Sequence, residues 1–547
     1  MNTNTVTKFI KYDDHKNRIL AFCWDNPLIE ENYINLVNEL SNALEIFPIF
    51  IVPTLLTKLR FLKRNLHSFT YKELIRYSLQ LSDSEDHKYN NFDRRILKDL
   101  SDYDKFLGWS WVSNQNLNED EFNDYQALTI LKAYDFIFKK FRPHLAITWN
   151  GVALLQKALA FLARTYDVPV LFLERGLLPQ TLYVDTEGVN YKSSIAGDKW
   201  FNNKIPYPDT QKINMTKNYC KKLKEEKRSV VDSGNQISVE EIKIRLGIGP
   251  SSKVILFPMQ IELDSNILYF SPHYSKMIEI IKDIQQAISQ FNDIHLIVKP
   301  HPEDRNRLDE LQLLDNNTTH IPNNLNLYSL LELADLVITV NSTVGFEALI
   351  LQKPVIVLGK AIYSEKGFTY DLQSQRELPN LIKRTLERHM FNKKEFYRFL
   401  DYILEHQHFQ LNANQDYWKS RNMITKKIVE LSKNQKRNGV SINKTLIDKL
   451  SGNIRLQKIF ARGKTVILGP MDKKLETVLG KPAKEILSAK DAITFLFCNL
   501  FSKNKPNLVF TTKPLSLKRH ILFKLIRSDV KALLTGTDLN FVKNLQG

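Results

Sequence analysis

Residues 336–358 read LVITVNSTVGFEALILQKPVIVL. LVITV (336–340) is a continuous apolar, β-branched run, the pattern of a strand buried on both faces of a parallel sheet. Ser342 and Thr343 follow as helix-capping residues, Val344 to Leu351 has the composition of a helix, and VIVL (355–358) is a second buried strand. Strand, helix and strand at this spacing predict a βαβ unit.

The same rhythm extends upstream. VILFP (254–258) reads as a strand, Tyr274–Phe291 as a long amphipathic helix, HLIVK (295–299) as a strand and Leu327–Leu333 as a short helix. Four strands alternating with helices predict a doubly wound α/β domain over 253–437, with helical segments from 375 onward closing it. A similar pattern occupies residues 1–202. RILAFC (18–23), HLAITW (144–149) and VPVLFL (168–173) are its strands, and Glu30–Leu44 and Leu154–Thr165 its helices. Residues 57–125 interrupt it with a polar helical pattern, read as an insertion or lid. Residues 203–252 are lysine-rich and read as a linker with surface helices. Beyond a Lys/Asn-rich break, residues 438–547 suggest a small basic α/β region, with strands at 465–469, 492–498, 508–511 and 532–534. Lys513, Lys518, Arg519, His520, Lys524, Arg527 and Lys531 concentrate positive charge there, which reads as a solvated helix face or as a surface for an anionic membrane or partner.

A chain of 547 residues is too long for one ordinary core. A hydrophobic content of 43% with 25% charged residues is that of a globular protein, which excludes general disorder. The formal charge of +17 favours an anionic partner or a lysine-rich solvated surface. No RNA-binding signature or dense Arg/aromatic patch accompanies it, so no nucleic-acid partner is expected. Cys23, Cys220 and Cys498 are far apart and form no CxxC pair, which argues against a disulfide framework or a zinc site. The N-terminus lacks a signal-peptide core, and the apolar run Ile46–Leu56 is too short to span a bilayer and contains Pro48 and Pro53. A cytoplasmic protein is expected.

Three clusters stand at the ends of predicted strands, where open α/β sheets place their ligands. After HLIV come Lys299, Pro300, His301 and Pro302. A lysine and a histidine there can donate to phosphate or to a departing nucleotide, although an ordinary strand-to-loop turn would use the same residues. After LVITV come Asn341, Ser342, Thr343, Val344, Gly345, Phe346 and Glu347. Ser342 and Thr343 would cap a helix whose free N–H groups form a phosphate cradle. Gly345 would admit a ligand close to the backbone, and Glu347 would accept from ribose hydroxyls. A purely structural cap explains the Ser and Thr equally well. After VILFP come Gln260, Ile261, Glu262, Leu263 and Asp264. Asp264 is a candidate nucleophile or general base, and Glu174, ending a strand of the first domain, a second carboxylate. Surface carboxylates on loops are the plain alternative.

Taken in order, LERGLLPQTLYVDTEGVNYKSS, QIELD, KPHPE and NSTVGFEALILQKPVIVLGKAIY resemble the bacterial capsule-polysaccharide synthesis family, whose members include retaining β-Kdo transferases of capsule and O-antigen assembly. The resemblance covers roughly residues 140–375. It implies a GT-B-like fold, two Rossmann-like domains facing a cleft, with CMP-β-Kdo as donor substrate, no cofactor and no metal ion. It makes Asp264 the nucleophile of a double displacement and Glu174 the acid/base toward the acceptor. It gives Gln260 to the donor site, Lys299, His301, Ser342 and Thr343 to the CMP phosphate, and Glu347 to the ribose. Lys360 and Tyr363 are weaker candidates for recognising the Kdo carboxylate. The implied partners are an anionic glycan or glycolipid acceptor, with peripheral contact to the inner membrane or to other polysaccharide-assembly proteins. Two rival readings remain: a transferase of the same architecture using a CMP-nonulosonate or UDP-sugar, and a non-catalytic assembly protein.

Overall fold

The computed structural model describes residues 18–23, 27–44, 47–66, 68–75, 94–107, 119–226, 237–291, 293–302, 318–320, 325–409, 508–511 and 531–534. They fall mainly into two compact units, divided between Val170 and Leu171. Among the described residues no helix is long and apolar enough to cross a membrane.

The first unit carries β1 (Arg18–Phe22), β2 (Phe47–Val52), β3 (Ser68–Thr70) and β4 (Leu145–Trp149). β1 pairs in parallel with β2 and β4, and β2 with β3, giving the order β4-β1-β2-β3. Within the apolar run at 46–56, Phe47–Val52 is the strand β2, and after a short turn Leu55 begins the helix Leu55–Lys63. The expected lid is partly core. In helix Arg94–Phe106, the fully buried Asp104 accepts the N–H of Leu154 at 2.6 Å, and Asp102 pairs with Lys157 at 2.6 Å. Helix Leu154–Thr165 thus receives at its first residue the acceptor that its own N-cap, Ala153, cannot supply.

The second unit starts within β5 (Val170–Arg175), at Leu171, and takes in β6 (Leu182–Asp185). It continues with β7 (Lys253–Pro258), β8 (Ile294–Lys299), β9 (Thr318–His320), β10 (Leu336–Thr339), β11 (Val355–Val357), β12 (Tyr370–Asp371) and β13 (His408–Phe409). β7 to β12 form one parallel sheet in the order β12-β11-β10-β7-β8-β9. The chain runs outward from β7 to β9, then restarts at β10 on the other side of β7. That reversal puts a switch point at the carboxyl ends of β7 and β10, where such sheets open a crevice. Helix Met277–Ile288 covers one face. Met277, Ile280, Ile281, Ile284 and Ile288 recur at helical spacing and are buried against Ile255, Phe257, Leu296 and Val298.

β5, β6 and β13 pair antiparallel to one another. The division between units falls earlier than residue 202, where the sequence suggests it. The physical reason is that the segment after β6 packs within the second unit: Tyr191 lies 6.1 Å from the Phe270 ring, and Trp200 5.3 Å from Phe399. The expected linker holds two helices, Thr210–Glu226 and Val239–Leu246. The first is tied to helix Lys393–His406 through Lys212 and Glu405 at 2.6 Å. β14 (Leu508–Thr511) and β15 (Lys531–Leu534) form a parallel pair. The expected strands at 465–469 and 492–498 lie outside the described residues, as do Lys513, Lys518, Arg519, His520, Lys524 and Arg527. The α/β class stands as read.

Candidate functional site

The switch point is held by one pair of side chains. Gln260, just beyond β7, is buried; its Nε2 donates to Asn341 Oδ1 at 2.9 Å and its Oε1 accepts from the Asn341 N–H at 3.1 Å. Thr339 Oγ1 donates to the same Oε1 at 3.4 Å. Asn341 Nδ2 donates to the carbonyls of Asn266 at 2.9 Å and Phe270 at 3.4 Å. Both ends of the Gln260 amide are thus engaged by protein. Its geometry is that of a brace between β7, β10 and the short helix Ser265–Phe270.

Asp264 is the N-cap of that short helix: its side chain accepts the Asn266 N–H at 2.7 Å and is exposed to solvent. A cap bond fixes the direction of the carboxylate and leaves the residue accessible. Ser342 caps helix Thr343–Ile350, accepting from Val344 N–H at 3.2 Å, and its own N–H donates to Thr339 Oγ1 at 3.3 Å. Thr343 is the first helical residue and half-buried. The helix dipole and first-turn N–H groups favour an anion at this end. Glu347, one turn in, is buried at 6% exposure.

Two expectations in this segment need correction. Gly345 is small because a side chain of the protein fills the space beside it. A Cβ there would fall 2.3 Å from the Tyr363 hydroxyl and 2.9 Å from Thr339 Cγ2. Tyr363 itself is buried, its phenol donates to the Ser342 carbonyl, and burial pushes its pKa up. It supports the Ser342 turn from beneath and is not available to a substrate carboxylate. Similarly, Lys299 ends β8 as a buried side chain whose Nζ donates to the Leu325 carbonyl at 2.9 Å. His301, just past it, is half-buried.

Lys360 is half-exposed and ion-paired with Glu365 at 2.5 Å. Glu365 also accepts from the Tyr191 hydroxyl, and the Lys360 ammonium lies 5.3 Å from the Tyr191 ring centre. Burial pushes Glu365 up, but hydrogen bonds from Lys360 and Tyr191 outweigh it and hold the carboxyl below its ordinary range. Burial, then the bond to Glu365, pushes the Tyr191 phenol up to about 12. Lys192 stands 5.3 Å from the Tyr269 ring centre, on the helix that Asp264 caps. The loop carrying Tyr191 and Lys192 is organised by Asp185. Its buried carboxylate accepts the N–H groups of Glu187 at 2.7 Å, Gly188 at 3.2 Å and Ser194 at 3.1 Å, and the hydroxyls of Ser193 at 3.0 Å and Ser194 at 2.7 Å. No motif in the sequence singles out Asp185 or Tyr191. The local cue is an aspartate in a turn-forming stretch, where its side chain can accept the amides two and three residues on.

Glu174 stands on β5, in register with Tyr183 of β6. Its Oε1 accepts from Arg175 N–H at 2.9 Å, and the side chain is half-buried. The segment after it is a connection between antiparallel strands, not the open end of a parallel strand that the sequence suggests. Among the described residues no group of three or more His, Cys, Asp or Glu side chains is placed to hold a metal ion.

Residues 196–412 match the model of a family described as capsule polysaccharide biosynthesis protein. Over that span, the chain resembles the capsule polysaccharide biosynthesis family. The matched span holds Gln260, Asp264, Lys299, His301, Ser342, Thr343, Gly345 and Glu347; Glu174 and Asp185 precede it. The capsule polysaccharide modification protein LipA of Neisseria meningitidis serogroup B is 27% identical over 212 residues, 37% of this chain and 27% of that protein. The capsule polysaccharide export protein KpsS of Escherichia coli is 32% identical over 123 residues, 20% of this chain and 31% of that protein. The chain therefore aligns with less than a third of either relative's length. Among solved structures, the beta Kdo 2,7 transferase KpsC of Thermosulfurimonas dismutans superposes with a TM-score of 0.36 at 18% identity, covering 63% of this chain and 99% of that one.

Proposed function

We propose that the chain is a retaining glycosyltransferase of GT-B type that transfers Kdo from CMP-β-Kdo to a glycan or glycolipid acceptor in bacterial surface polysaccharide synthesis. The observation that carries this reading is the brace at the switch point. Gln260 and Asn341 tie the turn bearing Asp264 to the turn bearing Ser342, which supports a solvent-facing carboxylate and a helix N-terminus serving one ligand. A sugar phosphate with its phosphate at the Ser342–Thr343 end would present its anomeric carbon to a carboxylate on the neighbouring turn.

In the first step the Asp264 carboxylate attacks the anomeric carbon, forming an ester bond as the bond to the CMP phosphate oxygen breaks. The Thr343–Ile350 dipole and the His301 imidazole stabilise the leaving phosphate. In the second step Glu174 takes the proton of the acceptor hydroxyl, whose oxygen attacks the same carbon and returns Asp264 to its carboxylate. Two inversions give retention. Lys299, bonded to the Leu325 carbonyl, adds positive potential beneath the phosphate, and Glu347 faces the ribose. Neither step calls on a metal or cofactor. Donor, growing glycan and acidic glycolipid are all anionic, so the formal charge of +17 would steer them toward the enzyme at the cytoplasmic face of the inner membrane. A donor screen tests the reading: CMP-Kdo should be turned over with release of CMP. Turnover of a UDP-sugar or a CMP-nonulosonate instead would transfer the site to a rival donor.

A further inference from the structure

Two adjacent residues that the reaction scheme does not use, Gln407 and His408, hold both of the loops that flank β6. His408 of β13 is in register with Tyr183 of β6, which is in register with Glu174 of β5. Directly opposed residues share a face of an antiparallel sheet, so the three form one row across it. The His408 ring is fully buried, edge-on to the Tyr183 ring at 5.6 Å. Its Nε2 accepts the Leu177 N–H at 3.0 Å, and its Nδ1 lies 3.2 Å from the Ile403 carbonyl. Only a neutral imidazole with the proton on Nδ1 satisfies both partners. Burial lowers its pKa to about 4, so this form persists through the neutral range.

Leu177 belongs to the connection that leaves Glu174. Gly176, between them, has no room for a side chain: a Cβ would fall 1.9 Å from Thr181 Oγ1 and 2.9 Å from His408 Cδ2. Gln407 acts on the other loop. Its Nε2 donates to Asp185 Oδ2 at 2.8 Å and to Ser194 Oγ at 3.3 Å, and its carbonyl accepts from Val184 N–H at 2.7 Å. The connection after Glu174 and the loop bearing Tyr191 therefore meet on two consecutive residues at the end of helix Lys393–His406.

We propose that His408 is the positioning residue for Glu174: its neutral imidazole, by holding the Leu177 amide, sets the direction in which the Glu174 carboxylate leaves β5. This rests on Glu174 being the group that moves the acceptor proton. An error of about 1 Å in such a group costs up to about 100-fold in rate while leaving donor contacts intact. The test uses the full chain, comparing His408→Leu and His408→Gln with wild type. CMP release from CMP-Kdo in the presence of acceptor gives kcat and donor KM. Hydrogen exchange is followed over 174–181 and, as an internal control, over 336–350.

His408→Leu should raise exchange at 174–181 alone and lower kcat by about 10- to 100-fold, with kcat/KM for the donor within about two-fold, because Glu174 acts only after CMP has left. His408→Gln, whose side-chain carbonyl can accept the Leu177 N–H, should recover part of both. Wild-type kcat with unchanged exchange in His408→Leu overturns the proposal. So does a loss that spreads equally to kcat/KM for the donor and to exchange at 336–350, because that marks general unfolding. Failure of the underlying reading is distinguishable. A wild type that turns over no donor contradicts the Kdo assignment, whereas the exchange contrast still reports whether His408 holds the segment after Glu174.

Discussion

Replacing Gly345 by Ala separates two explanations of that glycine. The added Cβ would lie 2.3 Å from the Tyr363 hydroxyl, 3.0 Å from Tyr363 Cζ and 2.9 Å from Thr339 Cγ2. All three distances are well inside van der Waals contact, and the ring cannot swing into solvent because it is 1% exposed and packed against Phe346. Overpacking of this kind costs about 1–3 kcal/mol, and displacing the phenol from the Ser342 carbonyl adds about 1 kcal/mol, so G345A should lose about 2–4 kcal/mol. Tyr363→Phe alone removes the hydroxyl and should cost about 1 kcal/mol. In the Y363F background the nearest clash is gone and only the tighter contacts at 2.9 and 3.0 Å remain. G345A should then cost about 1–2 kcal/mol, a coupling of about 1–2 kcal/mol between the sites. Urea unfolding of wild type, both single variants and the double variant measures it. Strict additivity, or a G345A protein as stable as wild type with weakened donor binding, would refute the reasoning and return Gly345 to the ligand.

Gln260→Leu should cost about 1–3 kcal/mol, because it leaves the half-buried Asn341 N–H and Oδ1 without their partner. It should also weaken donor binding, whereas Gln260→Glu keeps one acceptor and should be milder; calorimetry with CMP on both variants checks the order. Lys366 is fully buried, its Nζ donates to the Ser364 carbonyl at 3.2 Å, and burial lowers its pKa from 10.5 to about 7. Between pH 7 and pH 10 the unfolded lysine holds a proton that the folded one lacks. Stability therefore rises with pH from this group, by up to about 1.4 kcal/mol per unit. Lys366→Met should remove that slope and stabilise the protein at pH 7. Equal slopes in denaturant titrations at pH 7, 8 and 9 would contradict the assignment.

What was legible in the sequence follows from how local each signal is. β7, β8, β10 and β11 announce themselves because strands buried on both faces are continuous apolar runs, and the Ser342 cap because its partner is two residues away. β6, β9, β12 and β13 have two to four residues each and no room for a period, so only tertiary pairing reveals them. The role of Gly345 depends on Tyr363, that of Gln260 on Asn341 and that of His408 on Leu177, at separations no spacing rule spans. Asp264 is intermediate. Its loop position is readable, and the helix it caps is too short for a hydrophobic stripe. The helix Arg94–Phe106 is legible as a helix, but its buried Asp104 shows only in the contact with Leu154.

The central claim is that Asp264 carries the sugar between donor and acceptor. The direct measurement is intact-protein and peptide mass spectrometry after mixing the chain with CMP-Kdo. In a Glu174→Gln background the second step is slowed, and one Kdo residue should accumulate on the peptide containing Asp264. Asp264→Ala should form no adduct and release no CMP. Wild-type CMP release by Asp264→Ala, or an adduct mapped to another residue, would contradict the account.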